Sequence, residues 1–144
     1  MKTFVVLAVS IVLVGIFFCP LVMSAPSMPS DLQMVQPDPS LPKELSAFFG
    51  KWEGTGQMQY FLIVEKIDGE KASLYAWEFG AETASTPIWV RYEAQVTKEM
   101  GKYKLWYSNR SGNCEVTLKG EALNWSTISI RGSESVRLKR VLNL

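Results

Sequence analysis

The chain has 144 residues, 15 Lys and Arg against 14 Asp and Glu, no His and two Cys. That is the length of one domain, and a net charge of +1 leaves no basic excess with which to hold nucleic-acid phosphates. The absence of His excludes His-ligated zinc and the commonest general base, and two Cys build neither a four-thiolate metal site nor a disulfide framework, so no metal and no cofactor is expected.

Lys2 is followed by an uncharged apolar stretch from Thr3 to Cys19, then by Pro20 and the small residues Ser24 and Ala25. A positive charge, an apolar core and a small-residue site form the order of a secretory signal, so residues 1–24 are expected to direct export to the outside or the periplasm. Cleavage is expected between Ser24 and Ala25, because a cut after Ala25 would leave Pro26 first. It would remove Lys2 and Cys19, leave about 120 residues with charges in balance, and make Cys114 the single thiol. The alternative is an uncleaved N-terminal anchor, since the apolar stretch is at the lower edge of what spans a bilayer; that is the only membrane contact expected. Lipid attachment at Cys19 is disfavoured by bulky Phe17 and Phe18 before it.

Residues 25–40 carry Pro26, Pro29, Pro37 and Pro39, and Pro42 follows soon after. Proline fixes φ and denies backbone donors, so this segment reads as an extended linker, too polar to be buried. The domain proper then spans 41–144. It opens on Leu41-Pro42-Lys43-Glu44-Leu45-Ser46-Ala47-Phe48-Phe49-Gly50, a short helix in which Ser40 can cap, Pro42 suits an early position and Gly50 can terminate.

From Lys51 the hydrophobic period changes to two. Eight segments follow: 51–57, 59–67, 71–79, 88–97, 102–108, 114–119, 123–130 and 135–141. Cys114, Val116 and Leu118, for example, alternate with Glu115, Thr117 and Lys119, which places one face on a core and one in water. The connections are turns, with Asp68-Gly69 the strongest signal and 80–87 the longest, a candidate lip. No gap houses a crossover helix. The expected fold is all-β, an antiparallel up-and-down eight-stranded barrel preceded by a short helix, with a β-sandwich as the alternative.

The junction of helix and first strand reads Phe49-Gly50-Lys51-Trp52. This Gly-x-Trp at the start of strand one resembles the mark of lipocalins and the wider calycin group. The resemblance implies a barrel in which Trp52 lies across one end, with a basic residue of the last strand over its ring. Arg140 matches that position if Val136 and Leu138 point inward, and Gly50, Trp52 and Arg140 together would close the barrel. The middle-strand motif of the main lipocalin branch is absent. The body also resembles small exported bacterial β-proteins of unknown function, which implies no activity.

Every Trp and Tyr lies between Trp52 and Trp125. Tyr75 and Trp77 share one side of strand three, and with Tyr92, Tyr103 and Tyr107 they are the candidate lining of a site for one small apolar or aromatic ligand, oriented by phenol hydrogen bonds. The opposing reading is a barrel those residues simply fill, a packed module docking on another exported protein or the cell envelope. An enzyme is not expected: Ser73, Ser126 and Ser129 have no His to activate them, and Glu53, Glu65, Glu78, Glu93 and Glu115 read as solvated outward positions rather than a glycosidase pair. Gly54 and Gly56 read as sites of close packing, Cys114 as a small buried residue. Asn109-Arg110-Ser111 and Asn124-Trp125-Ser126 fit the glycosylation pattern, which has meaning only in a eukaryotic host.

Overall fold

The computed structural model describes residues 26–55, 58–79 and 86–142. The expected signal segment 1–24, Gly56 and most of the candidate lip (80–85) lie outside them. One short helix, α1 (Lys43–Ser46), precedes eight strands: β1 (Gly50–Thr55), β2 (Gln59–Ile67), β3 (Lys71–Phe79), β4 (Pro87–Glu99), β5 (Lys102–Asn109), β6 (Gly112–Lys119), β7 (Ala122–Ser129) and β8 (Gly132–Val141). Each strand pairs antiparallel with the next, and β1 pairs with β8 through Lys51↔Val141, Trp52↔Arg140 and Glu53↔Lys139. That last ladder closes an up-and-down barrel and rules out the sandwich, which would leave both strands as edges.

The closure depends on Gly54. A Cβ there would stand 2.5 Å from Leu138 Cδ2 and 2.8 Å from the Arg137 carbonyl oxygen, so only a residue without a side chain lets β1 approach β8.

The helix is shorter than the sequence suggests, and its ends are made differently. Ser40 does not cap it; its own N–H is held by Asp38 Oδ1 at 2.8 Å. The carbonyl of Pro42 instead accepts the N–H groups of Leu45 and Ser46, each at 2.9 Å, and α1 carries no side-chain cap. Gly50 does not terminate the helix but begins β1, with φ at +127°. Leu45 and Phe48 are buried, and Leu41 and Phe49 pack against the core beside them. The helix thus plugs the barrel end that also carries the β2–β3, β4–β5 and β6–β7 turns.

Alternation sends Leu62, Val64, Leu74, Ala76, Ala94, Leu105, Tyr107, Cys114, Val116, Leu123, Trp125 and Leu138 into one core. Strand β2 departs from simple alternation: Phe61 to Glu65 are all buried, so both of its faces are covered. A register shift between Val64 and Lys66 marks a bulge, after which Ile67 again faces inward.

The outer face of β2 is covered by the proline-rich segment, which does not stand off as a free spacer. Pro26, Met28, Pro29 and Leu32 are half-buried, while Ser27, Ser30 and Asp31 stay exposed. The Val35 N–H donates to the Glu65 carbonyl at 2.7 Å, and the Gln33 N–H to Glu65 Oε2 at 3.1 Å. A segment too polar to enter a core can still lie along one when its polar groups find partners there.

Candidate functional site

At the α1 end, Trp52 is 1% exposed. Its Nε1 donates to the Phe48 carbonyl at 2.9 Å, so the turn after α1 satisfies the buried indole. The Arg140 guanidinium lies 4.2 Å from the ring centroid and donates to the carbonyls of Phe49 and, at 2.6 Å, Ala47. Stacking and clamping come from one planar group, which a lysine could not reproduce. A Cβ on residue 50 would stand 2.4 Å from Arg140 Nη1, which explains glycine there. Gly50, Trp52 and Arg140 therefore form a single plug. Above it Leu62, Val64, Leu74, Leu105, Val116, Leu123 and Leu138 exclude solvent completely, so this half of the barrel is filled.

Toward the opposite end the interior becomes polar. The hydroxyl of Tyr92 donates to Glu78 Oε1, and Asn109 Nδ2 donates to Glu78 Oε2 at 2.9 Å. The rings of Tyr92 and Tyr107 lie 4.8 Å apart. Tyr107 is buried and its hydroxyl has no hydrogen-bond partner; it pairs across the sheet with Cys114, whose thiol is a weak partner at best. Cys114 is free and buried, 3.5 Å from Thr127 Oγ1. The indole N–H of Trp125, also in the core, is likewise unpartnered. Burial pushes both phenols up, that of Tyr107 well above the ordinary range, with the Glu78 hydrogen bond adding to the rise at Tyr92. Both therefore stay protonated donors at neutral pH. The Tyr107 hydroxyl, a buried donor without an acceptor near a carboxylate already bridged by two other donors, can receive an acceptor atom from a small molecule.

The five candidate lining residues separate into three places. Tyr92 and Tyr107 meet inside. Tyr103 also faces the core, but near the α1 end, with Lys98 Nζ 4.9 Å from its ring centroid. Tyr75 and Trp77 do not line the interior at all. Both parities of β3 are apolar, and the small set, Ala72, Leu74 and Ala76, fits inside the narrow barrel, which turns Tyr75 and Trp77 outward.

There they join an outer aromatic cluster. The Trp89 ring lies 5.2 Å from Trp77, 6.3 Å from Phe61 and 6.5 Å from Tyr75. Arg91 stands 4.7 Å from the Tyr75 centroid. Glu65 is buried rather than solvated: its carboxylate accepts Ser73 Oγ at 2.6 Å and Arg91 Nε at 3.1 Å. Such a carboxylate survives burial because every lone pair is answered. Neither the Glu78–Asn109 contact inside the barrel nor the Glu65–Arg91 pair outside it was legible, because each depends on strand register. The one available signal was the continuous apolar run at Phe61–Val64, which demands cover on both faces.

Among the described residues no cluster of three His, Cys, Asp or Glu side chains is placed to hold a metal ion, and no helix is long and apolar enough to cross a membrane. The amide of Asn109 is engaged by Glu78, and that of Asn124 by Ser126 Oγ at 3.0 Å. Comparison with protein-family models, curated proteins and solved structures finds no match.

Proposed function

We propose that this is an exported, lipocalin-like binding protein that takes one small, mostly apolar or aromatic ligand at the barrel end opposite α1. The supporting observation is the buried, unpartnered Tyr107 hydroxyl, whose ring lies 4.8 Å from that of Tyr92 in the Glu78–Tyr92–Asn109 bridge. A ligand bearing an acceptor atom on a flat apolar body would satisfy that hydroxyl and stack on Tyr92 or Tyr107. The filled half of the barrel limits the ligand to a small one. Burying a few hundred Å² of apolar surface yields at most about 5–10 kcal/mol before the loss of motion is subtracted, so affinity belongs in the micromolar range.

Titration of the purified protein with a panel of small aromatic ketones and carboxylates, read by tryptophan emission and calorimetry, tests this. At least one class should bind, and Tyr107→Phe should weaken it about tenfold, the worth of one buried hydrogen bond. A panel that leaves emission unchanged, or a Tyr107→Phe variant that binds as the parent does, would overturn it. The alternative reading, a module that docks on another exported protein, draws on a different surface, the outer aromatic face.

A further inference from the structure

We infer that the outer face of β2–β4 is a recognition groove for an extended peptide of the pattern Pro-x-x-Pro-x-Asp, and that residues 26–35 are its intramolecular occupant. The inference is independent of the interior ligand. Its basis is the kind of contact the strap makes. The indole of Trp89 donates to the carbonyl of Ser27 at 2.8 Å, and Ser27 lies between Pro26 and Pro29 in Pro26-Ser27-Met28-Pro29. Proline-rich segments have carbonyls left free by missing backbone donors, and an aromatic wall with one indole N–H is the surface that reads them. The following acidic residue is read as well: Arg91 Nη1 lies 3.3 Å from Asp31 Oδ2, and Arg91 Nη2 3.1 Å from the Asp31 carbonyl. A turn at Ser30–Asp31, closed by the Leu32 N–H on the Pro29 carbonyl at 3.3 Å, sets the spacing between the two features.

The groove's readers are also held by groups of the barrel itself. Arg91 is braced from behind by buried Glu65, which Ser73 also holds, and it lies over Tyr75; Trp89 is wedged against Trp77 and Phe61. The bulge after Val64 aims the Glu65 carbonyl outward, where it takes the Val35 N–H. The strap brings the Ser27 carbonyl, the Asp31 carboxylate and half-buried apolar side chains, and Trp89 and Arg91 take the first two. Because the strap is covalently attached, its effective concentration at the groove is on the order of millimolar, so a partner peptide enters only when the strap is released or outcompeted.

The test uses the full chain with a protease site built into Gln36–Asp38, so the strap can be cut from the folded protein. After cutting, residues up to the nick should remain bound through gel filtration. A synthetic peptide of residues 26–35 in excess should displace them while keeping the Trp89 indole N–H signal at its docked position, which Trp89→Phe identifies by NMR. In the cut protein Trp89→Phe, which keeps a ring, and Arg91→Lys, which keeps a charge for Glu65, should each weaken the peptide about tenfold. Replacing both prolines of the peptide by Gly should do the same. Immediate loss of the strap with no rebinding at millimolar peptide would overturn the inference. So would equal binding of a scrambled peptide, which would mean an unselective apolar face. Asp31→Ala in the uncut chain is a second route to release, and peptide that still failed to bind there would also count against it.

Discussion

At Trp52, three weak contacts converge on one ring. The indole N–H is answered by Phe48, the ring face by Arg140, and the edge by the core. Removing the ring leaves a cavity at the plugged end and strands the guanidinium that stacked on it. Trp52→Ala is therefore expected to cost about 3–5 kcal/mol, measured by chemical denaturation; a loss under about 1 kcal/mol would mean that α1 and not the ring seals the end. Gly50, Trp52 and Arg140 could be named beforehand because Gly-x-Trp at the start of strand one resembles the lipocalin mark, and that resemblance implies a basic residue of the last strand over the ring. At the opposite end no such pattern exists. Glu78 and Asn109 come from two strands, and nothing in their own neighbourhoods distinguishes them from solvated polar positions.

Among the elements, the β2–β3 hairpin and the strap show how little the turn residue alone decides. Asp68-Gly69 does form the expected turn, but Gly69 does not use a positive φ. The turn is held by Asp68 Oδ1, which accepts the N–H groups of Glu70 and Lys71 at 2.8 and 2.7 Å; those donors hold the Asp68 carboxyl below its ordinary range. The strap has two titrating partners. The Tyr75 phenol beside Asp31 lowers its carboxyl, and burial, with Asp31 adding to it, pushes Tyr75 up from 10.0 to about 12. The signs follow from linkage. The lowered Asp31 supports docking at neutral pH and loses that support as pH falls through its folded value. The raised Tyr75 contributes fully below pH 10.0 and loses its contribution as pH climbs through about 12. Strap docking, followed by the Trp89 indole N–H signal, should thus be constant near neutrality and fail at both extremes, and Tyr75→Phe should abolish the alkaline loss and also weaken the acid one, leaving there only what Arg91 contributes.

For the whole molecule, stability rests on closure. Seven ladders join sequence neighbours, and the eighth joins β1 to β8. That last one has the longest loop to close, and Gly54 permits it. Gly54→Ala is expected to cost about 1–3 kcal/mol, since Leu138 can shift but the Arg137 carbonyl cannot. Hydrogen exchange locates the damage: the amides of β1 and β8 should lose protection first, while those of β6 and β7 keep theirs. Uniform loss across all strands would show that the ladder is no weaker than its neighbours.

The sequence by itself determined the strand count and the antiparallel order, because alternation and short turns are written in consecutive residues, while the plugged end was implied by the resemblance of Gly-x-Trp to the lipocalin mark. It also determined what chemistry is absent from the side chains, since His cannot be supplied by folding. It did not determine which side of β3 faces inward. Ala72, Leu74 and Ala76 compete there with Tyr75 and Trp77, and only the width of the closed barrel, which admits the smaller set, settles the matter. Nor did it reveal that the proline-rich segment has a seat. That seat exists because the bulge in β2 turns Glu65 outward and strand pairing sets Arg91 and Trp89 beside it, a juxtaposition of residues up to 62 apart along the chain that only tertiary structure creates.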